Sequence, residues 1–258
     1  MKLEDRRQAI VELLVERGSA GLDDLAARFD VSRMTIHRDL DDLEAAGLLR
    51  KVRGGATIEA SSQFESDYRY RERQGAAEKS LIAAHAARMV EPGMSVMVDD
   101  SSTAQALVPY LAALRPLTVI TNNLSVMAGL ADKPGIVLIG LGGTYSRKFN
   151  GFFGLMTEEA LEGLRADVAL VSTSAIHDLA AFHQDQEVVG VKRRMLRSSK
   201  TRVLMADHAK FGLTALHFFA ELDRFDAVVT GPELPEVARK GPRDARVALQ
   251  IAEMEGAA

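Results

Sequence analysis

Apolar residues recur every three or four positions in the first part of the chain, which predicts three short helices in quick succession. The three apolar stripes are Leu3, Ile10, Leu13 and Leu14; Leu22, Leu25, Ala26 and Phe29; and Ile36, Leu40 and Leu43. Gly18 and Gly21 separate the first two helices, and Ser32 is the expected N-cap of the third. The stretch LLRKVRGGATI follows, and its two β-prone runs around Gly54 and Gly55 indicate a hairpin.

The third predicted helix carries cationic residues on its first turns and acidic residues, Asp41 and Asp42, behind them. An acidic rear half would be repelled by phosphate if the helix lay flat on DNA, but not if only its first turns entered the major groove. Asp41 and Asp42 lie four residues after His37 and Arg38, so we expect them to orient those side chains. The predicted DNA contacts, on this helix and a wing-like hairpin, are Ser32, Arg33, Met34, Thr35, His37, Arg38, Arg50, Lys51 and Arg53. An ordinary solvated helix face is the alternative interpretation of the arginines.

Short apolar runs alternate with helical patterns from residue 76 onward. The β-prone runs are SVMVDD, LTVITNN, IVLIGLGG, DVALVSTSAI, RVLMADH and DAVVTG. This alternation predicts an α/β domain with a mainly parallel sheet. We therefore expect a DNA-binding domain over residues 1–57, a polar and charged linker over 58–75, and an α/β domain over 76–258.

Polar residues directly follow four of these predicted strands, at the edge where ligands of open α/β sheets collect. Hydroxyls, amides, carboxylates and an ammonium group together suit a polyol that bears an anionic group. The residues are Asp99 to Thr103; Thr121, Asn122 and Asn123; Gly142 and Gly143; and Asp207, His208 and Lys210. Plain helix caps and a tight glycine turn are the alternative interpretations.

Composition narrows the possible partners. A formal charge of −4 over 258 residues argues against indiscriminate coating of nucleic acid or anionic membrane. The absence of cysteine excludes disulfides, thiolate nucleophiles and Cys-ligated zinc, and the histidine spacing predicts no metal site. No strand is followed by a full G-x-G-x-x-G, so no dinucleotide cofactor is expected. The start, MKLEDRRQAIVELL, lacks an apolar signal core, and no apolar run approaches the roughly 20 residues of a membrane span, so we expect a cytoplasmic protein without membrane contact.

The stretch VSRMTIHRDLDDLEAAGLLRKVRGGA resembles the winged helix-turn-helix signature of the DeoR family of bacterial transcriptional regulators, V-S-x-x-T-I-R-R-D-L, L-E-x-x-G and R-x-x-G-G-A. His37 departs from the arginine that is usual in the family, and an imidazole there could alter which base or phosphate is contacted.

The second domain is similar to the DeoR-type effector domain, which implies a sheet related to that of ribose-5-phosphate isomerase and a phosphorylated sugar or sugar derivative as effector. The family motifs D-S-G-T-T, T-N-S, G-G and D-x-x-K-F match this chain, with Ser102 in place of the glycine and STSAIHDLAAFHQD in place of a more glycine-rich stretch. The resemblance implies these effector-binding residues: Asp100, Ser101, Ser102, Thr103, Thr121, Asn122, Gly142, Gly143, Glu187, Lys192, Asp207 and Lys210.

The expected function is therefore that of a transcriptional regulator, a repressor of a carbohydrate-catabolism operon, rather than an enzyme. Its partners would be double-stranded operator DNA and a phosphorylated sugar or polyol effector, and it would act as a homodimer or homotetramer on two-fold half-sites. The alternatives are a sugar-phosphate isomerase-like enzyme that carries a DNA-binding appendage and a regulator with a dinucleotide-sensing domain. The isomerase would need a carboxylate base, for which Asp99, Asp100, Asp185 and Asp207 are candidates.

Overall fold

Helices and a small antiparallel sheet make up the N-terminal unit, Met1–Gln74, in the computed structural model, which describes residues 2–59 and 67–253. The elements are α1 (Leu3–Arg17), β1 (Ser19–Gly21), α2 (Leu22–Phe29), α3 (Arg33–Ala45), β2 (Arg50–Val52), β3 (Gly55–Thr57) and α4 (Tyr68–Arg73). The three predicted helices and the predicted hairpin are confirmed. Strand β1 was not predicted, and it pairs with β3 to give the antiparallel order β1-β3-β2.

Two glycines allow this extra strand to form. Gly18 has a φ of +81°, ends α1 and donates its N–H to the carbonyl of Leu14 at 2.7 Å. Gly55 lies so close to β1 that a Cβ atom there would be 2.1 Å from the carbonyl oxygen of Ala20. The pairing of β1 with β3 therefore requires a residue without a side chain at position 55.

The core of this unit contains one buried ion-pair cluster in addition to the predicted apolar stripes. Asp39 lies on the buried side of α3 and is 1% exposed. Its carboxylate accepts hydrogen bonds from Arg6 Nε at 2.6 Å and from Arg7 Nε at 3.2 Å. A buried carboxylate is stable only with such hydrogen-bonded partners. Because both partners lie on α1, these bonds connect α3 to α1.

The predicted linker, residues 58–75, spans the end of the first unit and the start of the second. Its residues 60–66 lie outside the described residues. Helix α4 follows them, with Asp67 as its N-cap and Tyr68 buried, and the division between the units falls at Gln74 and Gly75.

A seven-stranded sheet, parallel throughout, forms the centre of the second unit, Gly75–Ala258, and confirms the predicted α/β class. Its strands, in the order β15-β14-β12-β9-β4-β5-β6, are β15 (Leu249–Ile251), β14 (Ala227–Thr230), β12 (Ser199–Met205), β9 (Ala166–Ser172), β4 (Ser95–Val98), β5 (Leu117–Thr121) and β6 (Ile136–Gly140).

Two smaller antiparallel sheets accompany the main one: β7 (Thr144–Ser146) with β8 (Gly151–Phe153), and β10 (Ala175–His177), β11 (Ala180–His183) and β13 (His217–Glu221) in that order. The run DVALVSTSAI was predicted as one strand but forms both β9 and β10. Strand β9 ends at Ser172, and the polar residues Thr173 and Ser174 connect it to β10.

Helices cover both faces of the main sheet, as its uninterrupted apolar strands require. They are α5 (Ala76–Ala87), α6 (Ser102–Gln105), α7 (Val108–Ala113), α8 (Leu124–Leu130), α9 (Leu155–Glu162), α10 (Gln186–Arg197) and α11 (Glu236–Asp244). Alternate strand residues belong to two cores: Val96 and Val98 pack with α5, α7 and α8, and Met97 packs with α9 and α10. Within residues 2–59 and 67–253, no helix is both long and apolar enough to cross a bilayer.

Candidate functional site

Helix α3 exposes the face on which DNA contacts were predicted. Ser32 is its N-cap, and its Oγ accepts a hydrogen bond from the backbone N–H of Thr35 at 3.1 Å. Met34 is 62% exposed, and His37 and Arg38 are exposed as well. Neither His37 nor Arg38 makes an ion pair or a side-chain hydrogen bond with a described residue, so both are available to a partner.

The acidic residues of α3 hold neighbouring elements of the same unit. The carboxylate of Asp42 pairs with the guanidinium of Arg7, and that of Asp41 pairs with the ammonium of Lys51. The expectation that these two aspartates orient His37 and Arg38 is therefore wrong. The two aspartates instead pair with basic groups on α1 and on the hairpin, in place of the i to i+4 contacts with His37 and Arg38 on α3.

The three basic residues of the hairpin differ in their surroundings. Arg50 is half-buried, and Lys51 is engaged by Asp41. Arg53 is exposed beside Gly54, whose φ of +82° forms the tip of the hairpin. Arg53 is therefore the most accessible of the three cations. On α3, Arg33 Nε lies 3.0 Å from Asp23 Oδ1 in an exposed ion pair.

A buried charge cluster occupies the carboxyl edge of the parallel sheet, where the sequence predicts a ligand. Lys192 of α10 is 1% exposed, contacts the carboxylate of Asp99 and lies 3.1 Å from Asp100 Oδ1. Burial lowers the pKa of Lys192, but the charges of Asp100 and Asp99 raise it more, so the net shift is upward. The ammonium group is therefore charged at neutral pH.

Asp99 connects three elements at this edge; it was among the polar residues predicted to follow the strands, but not among the effector-binding residues that the family resemblance implies. Its Oδ2 accepts the N–H of Ser172, at the end of β9, at 2.7 Å, and its Oδ1 accepts the N–H of Ser101 at 3.1 Å. The sequence signal for this role was present, since Asp99 is the first polar residue after an apolar strand. Without a known strand order, however, its partners on β9 and α10 could not be identified.

Two of the four hydroxyls predicted to face an effector, those of Ser101 and Thr121, have hydrogen-bond partners within the sensor unit. Ser101 Oγ accepts the N–H of Ala104 at 2.9 Å as the cap of α6, which has only four residues. Thr121 Oγ1 accepts the N–H of Asn123 at 3.0 Å. The helix-cap interpretation therefore describes Ser101 in this structure, whereas Thr121 precedes Asn123, the N-cap of α8. Ser102 and Thr103 lie beside Ser101 and are also buried.

Two asparagines that follow β5 have different surroundings. Asn123 donates from Nδ2 to the carbonyls of Asp99 and Ser101 at 3.3 and 3.2 Å and caps α8 with its Oδ1. Asn122 donates to the carbonyl of Phe152 at 3.1 Å, and its buried Oδ1 has no hydrogen-bond donor among the described residues. Asn122 thus offers an unsatisfied acceptor at the carboxyl edge.

The glycine pair that follows β6 packs closely against β8 and α9. Gly143 has a φ of +141°, and a Cβ there would lie 2.4 Å from both the Phe153 carbonyl and Thr157 Oγ1. The Thr157 hydroxyl donates to the carbonyl of Gly142 at 2.6 Å. Close backbone approach requires the glycine at 143, whereas Gly142 is exposed.

The remaining predicted effector residues lie on other segments of the second unit. Asp207 follows β12 and is 6% exposed, and Lys210 ends the 3-10 helix His208–Lys210 and is half-buried. Glu187 is exposed in the first turn of α10. The described contacts join Lys192 to Asp100, but they do not join Lys210 or Glu187 to that pair.

His208, Glu78 and Glu233 offer ligand atoms within 4.8 Å of one another, a spacing that fits a metal ion, although the sequence predicts no metal site. The buried carboxylate of Glu78 already accepts the N–H of His208 at 2.9 Å and lies 2.7 Å from its Nδ1. This hydrogen bond raises the pKa of His208, burial lowers it, and the charge of Glu78 raises it again, for a net upward shift. We therefore interpret the group as an ion pair.

Comparison with known proteins identifies both units. The family model of the DeoR C terminal sensor domain matches residues 74–232, and that of the DeoR-like helix-turn-helix domain matches residues 6–62. The chain belongs to the DeoR family of transcriptional regulators. The family resemblance inferred from the sequence motifs is thus confirmed.

Similar proteins include several DeoR-family regulators that align over almost the whole chain. The chain is 32% identical to the HTH-type transcriptional repressor GlcR of Bacillus subtilis (strain 168), over 89% of each protein. It is 32% identical to the glycerol-3-phosphate regulon repressor of Haemophilus influenzae (strain ATCC 51907 / DSM 11121 / KW20 / Rd), over 92% of each. Among solved structures, ribose 5 phosphate isomerase A from Neisseria gonorrhoeae aligns with a TM-score of 0.37 and 14% identity, over 52% of this chain and 53% of that one.

Proposed function

We propose that this DeoR-family regulator is a repressor of a carbohydrate-catabolism operon and that a phosphorylated sugar or sugar derivative changes its affinity for operator DNA. Similar proteins that are named repressors, GlcR and the glycerol-3-phosphate regulon repressor, support this proposal. The observation that carries it is the set of buried polar groups at the carboxyl edge of the sensor sheet, in a chain that also has an exposed cationic helix face.

The DNA contact is assigned to the first turns of α3 and to the hairpin. His37 and Arg38 are exposed without described partners, whereas the aspartates behind them are paired with basic residues. Pairing removes much of the repulsion that those aspartates would exert on phosphate. The full proposed set remains Ser32, Arg33, Met34, Thr35, His37, Arg38, Arg50, Lys51 and Arg53.

The charges at the carboxyl edge suggest how an effector would be oriented. Two carboxylates face one ammonium in the cluster of Asp99, Asp100 and Lys192, so that cluster is net negative and would not attract a phosphate. It suits sugar hydroxyls, which can donate to Asp100 and to the unsatisfied Oδ1 of Asn122. Lys210 makes no described ion pair, and we assign it to the phosphate. The other proposed effector-binding residues are Ser101, Ser102, Thr103, Thr121, Gly142, Gly143, Glu187, Lys192 and Asp207.

We propose a regulator without enzymatic activity that acts as a homodimer or homotetramer. Isomerase chemistry would need a carboxylate free to take a proton from carbon. Asp99, one candidate base, is engaged by Lys192 and by two backbone N–H groups. A two-fold oligomer is proposed because helix-turn-helix readers usually bind paired half-sites.

The effector assignment is tested by Lys210→Ala, with Lys240→Ala as the matched control because Lys240 is an exposed lysine on α11. Loss of one charge-assisted contact should weaken effector binding by about 1.5–3 kcal/mol, roughly ten- to a hundredfold, and leave operator affinity unchanged. Sugar phosphates would be titrated with and without operator duplex. A wild-type response of Lys210→Ala, or an effector affinity that operator leaves unchanged, would contradict the assignment, because binding coupling is reciprocal.

The DNA assignment is tested by Arg38→Ala, with Arg17→Ala, at the exposed end of α1, as the control. If Arg38 contacts a base, the variant should lose about 1–3 kcal/mol of operator affinity and discriminate less at one base position. Fluorescence anisotropy with operator and single-base variants measures both effects. Equal affinities for the two variants would exclude the proposed placement of α3.

A further inference from the structure

A cavity lies on the sensor unit, and none of the proposed effector-binding residues lines it. Its volume is about 580 Å³, and its lining includes Arg193, Arg197, Arg202 and Arg224, with Glu221 as the single acidic residue. Leu196 and Phe218 form an apolar part of the wall, and Phe218 is 43% exposed. We call this site the arginine cavity. Four guanidinium groups around one concave surface focus positive potential in a chain whose net charge is −4.

The arginine cavity lies at the amino ends of the parallel strands. Arg197 ends α10, two residues before β12 begins, and Arg224 precedes β14 by three residues. Strands β12 and β14 are neighbours in the sheet. Asp207 and Lys210, by contrast, follow the carboxyl end of β12. A ligand in the arginine cavity would therefore occupy the opposite edge of the sheet from the proposed effector.

Two of the four arginines are held in place by their surroundings. Arg193 donates from Nε to the carbonyl of Phe219 at 3.0 Å and from Nη2 to that of Phe218 at 2.5 Å, and its guanidinium lies 5.7 Å from the Phe218 ring centre. Arg202 Nε donates to Asp226 Oδ2 at 3.2 Å. A guanidinium group has five N–H donors, so each retains donors for an anion.

The other two arginines lack described partners. Arg197 and Arg224 are exposed, and neither makes an ion pair or side-chain hydrogen bond within residues 2–59 and 67–253. Arg197 also lines a neighbouring cavity of about 500 Å³, together with Arg165, Arg194 and Glu162. Guanidinium groups bind phosphate in a bidentate manner, so these two side chains are suited to two linked phosphates.

We propose that the arginine cavity binds a nucleoside diphosphate, with its diphosphate between Arg197 and Arg224 and its base against Leu196 and Phe218. A nucleotide fits better than a DNA backbone, since cavities of roughly 300–1,000 Å³ with apolar walls are typical of small-molecule sites. The flat base would stack on exposed aromatic and aliphatic surface that a phosphate backbone would leave uncovered. This site is independent of the proposed effector site.

The test is calorimetric titration of the full chain with the common ribonucleoside diphosphates, inorganic pyrophosphate and adenosine at about 150 mM salt, where long-range surface attraction is screened. At least one nucleoside diphosphate should bind more tightly than pyrophosphate or adenosine, because only it fills both parts of the cavity. Arg197→Ala and Arg224→Ala should each weaken that binding about tenfold or more. Lys240→Ala and Lys210→Ala, which change cations outside the cavity, should bind as the wild type does.

Several outcomes would overturn the proposal. One is the absence of diphosphate binding up to about 1 mM, and another is an equal loss of binding in Lys240→Ala. Binding that is lost in Lys210→Ala but kept in both arginine variants would assign the nucleotide to the other edge of the sheet. If the arginine variants instead lose affinity for mixed-sequence duplex DNA, or change the oligomeric mass, without losing nucleotide affinity, the surface serves DNA or a second copy of the chain.

Discussion

Replacing Lys192 with methionine should produce a large, pH-dependent loss of stability in the sensor unit. The ammonium group of Lys192 is the cation between Asp99 and Asp100, and the side chains of the three residues are at most 2% exposed. Lys192→Met keeps an unbranched side chain of similar length but leaves two neighbouring carboxylates in a buried site. The variant therefore isolates the loss of charge from the loss of volume.

The expected magnitude follows from burial. Removing one partner of a buried ion pair costs about 3–5 kcal/mol, because the remaining charge has lost its compensation. Domains are stable by only about 5–15 kcal/mol, and a unit of this size loses about 2–4 °C of melting temperature per kcal/mol. We therefore expect a melting temperature lower by roughly 6–20 °C at neutral pH.

The pH dependence distinguishes lost charge from poor packing. The raised pKa of Lys192 keeps the wild-type ammonium group charged, so its stabilisation is present below about pH 10.4 and is lost only as the pH rises through the raised value. In the variant, one carboxylate can take up a proton in mild acid, which removes the like-charge repulsion. The difference between variant and wild type should therefore shrink between about pH 7 and pH 5.

Urea titrations followed by circular dichroism at both pH values measure this difference. Lys240→Met, at an exposed lysine, should change stability by less than about 0.5 kcal/mol. Adding Asp100→Asn to Lys192→Met should restore part of the loss, because it removes one of the facing carboxylates. A loss below about 1 kcal/mol in Lys192→Met, or no recovery in the double variant, would refute the charge-based argument.

Other side chains give sharp tests in the same two units. Asp39→Asn should lower the free energy of unfolding of the N-terminal unit by about 3–5 kcal/mol, because it leaves Arg6 without a buried countercharge. Asp41→Asn, at an exposed ion pair, should cost less than about 1 kcal/mol. Similar losses for the two variants in urea titrations would argue against a stabilising role of the buried pair. The hydrogen bond with Glu78 raises the pKa of His208 by more than burial lowers it. The free energy of folding that this pair contributes is therefore fully present below about pH 6.5 and is lost as the pH rises through the raised pKa of His208. Thermal melts from about pH 6 to 8 should fall more steeply for the wild type than for His208→Gln, and parallel curves would reject this linkage. Arg53→Ala should weaken binding to all duplexes alike and reduce the slope of log K against log salt by about one, whereas a sequence-dependent loss would assign Arg53 to a base.

Periodicity in the sequence was sufficient to predict α1, α2 and α3 of the first unit and six of the seven strands of the main sheet, but it predicted neither α4 nor β15. Ile36, Leu40 and Leu43 are buried on one side of α3 as their spacing predicts, and His37 and Arg38 are exposed on the other. Apolar strands of a parallel sheet are similarly recognisable, because both of their faces are buried. The signal in each case is local, so a single stretch of sequence contains it.

The features that the sequence did not predict depend on contacts between distant residues. Asp39 looks like a polar surface residue until α1 brings Arg6, 33 positions away, against it. Lys192 and Asp99 are 93 positions apart, and their contact requires the order of β4, β9 and the helix α10 to be known. The short strand β1 depends on its pairing with β3, because a three-residue strand has almost no pattern of its own.

The two units share an arrangement that affects how variants should be interpreted: each proposed binding face is supported from behind by a buried carboxylate with a basic partner. Asp39 supports α3 through Arg6, and Asp99 supports the carboxyl edge of the sheet through Lys192. Substitution of either aspartate would reduce binding by loosening the face, even if the side chain never touches a ligand. Loss of binding in a variant therefore identifies a ligand contact only where the stability of the protein is unchanged. Substitution of exposed or half-buried cations without described partners can meet this condition, whereas substitution of the buried aspartates cannot.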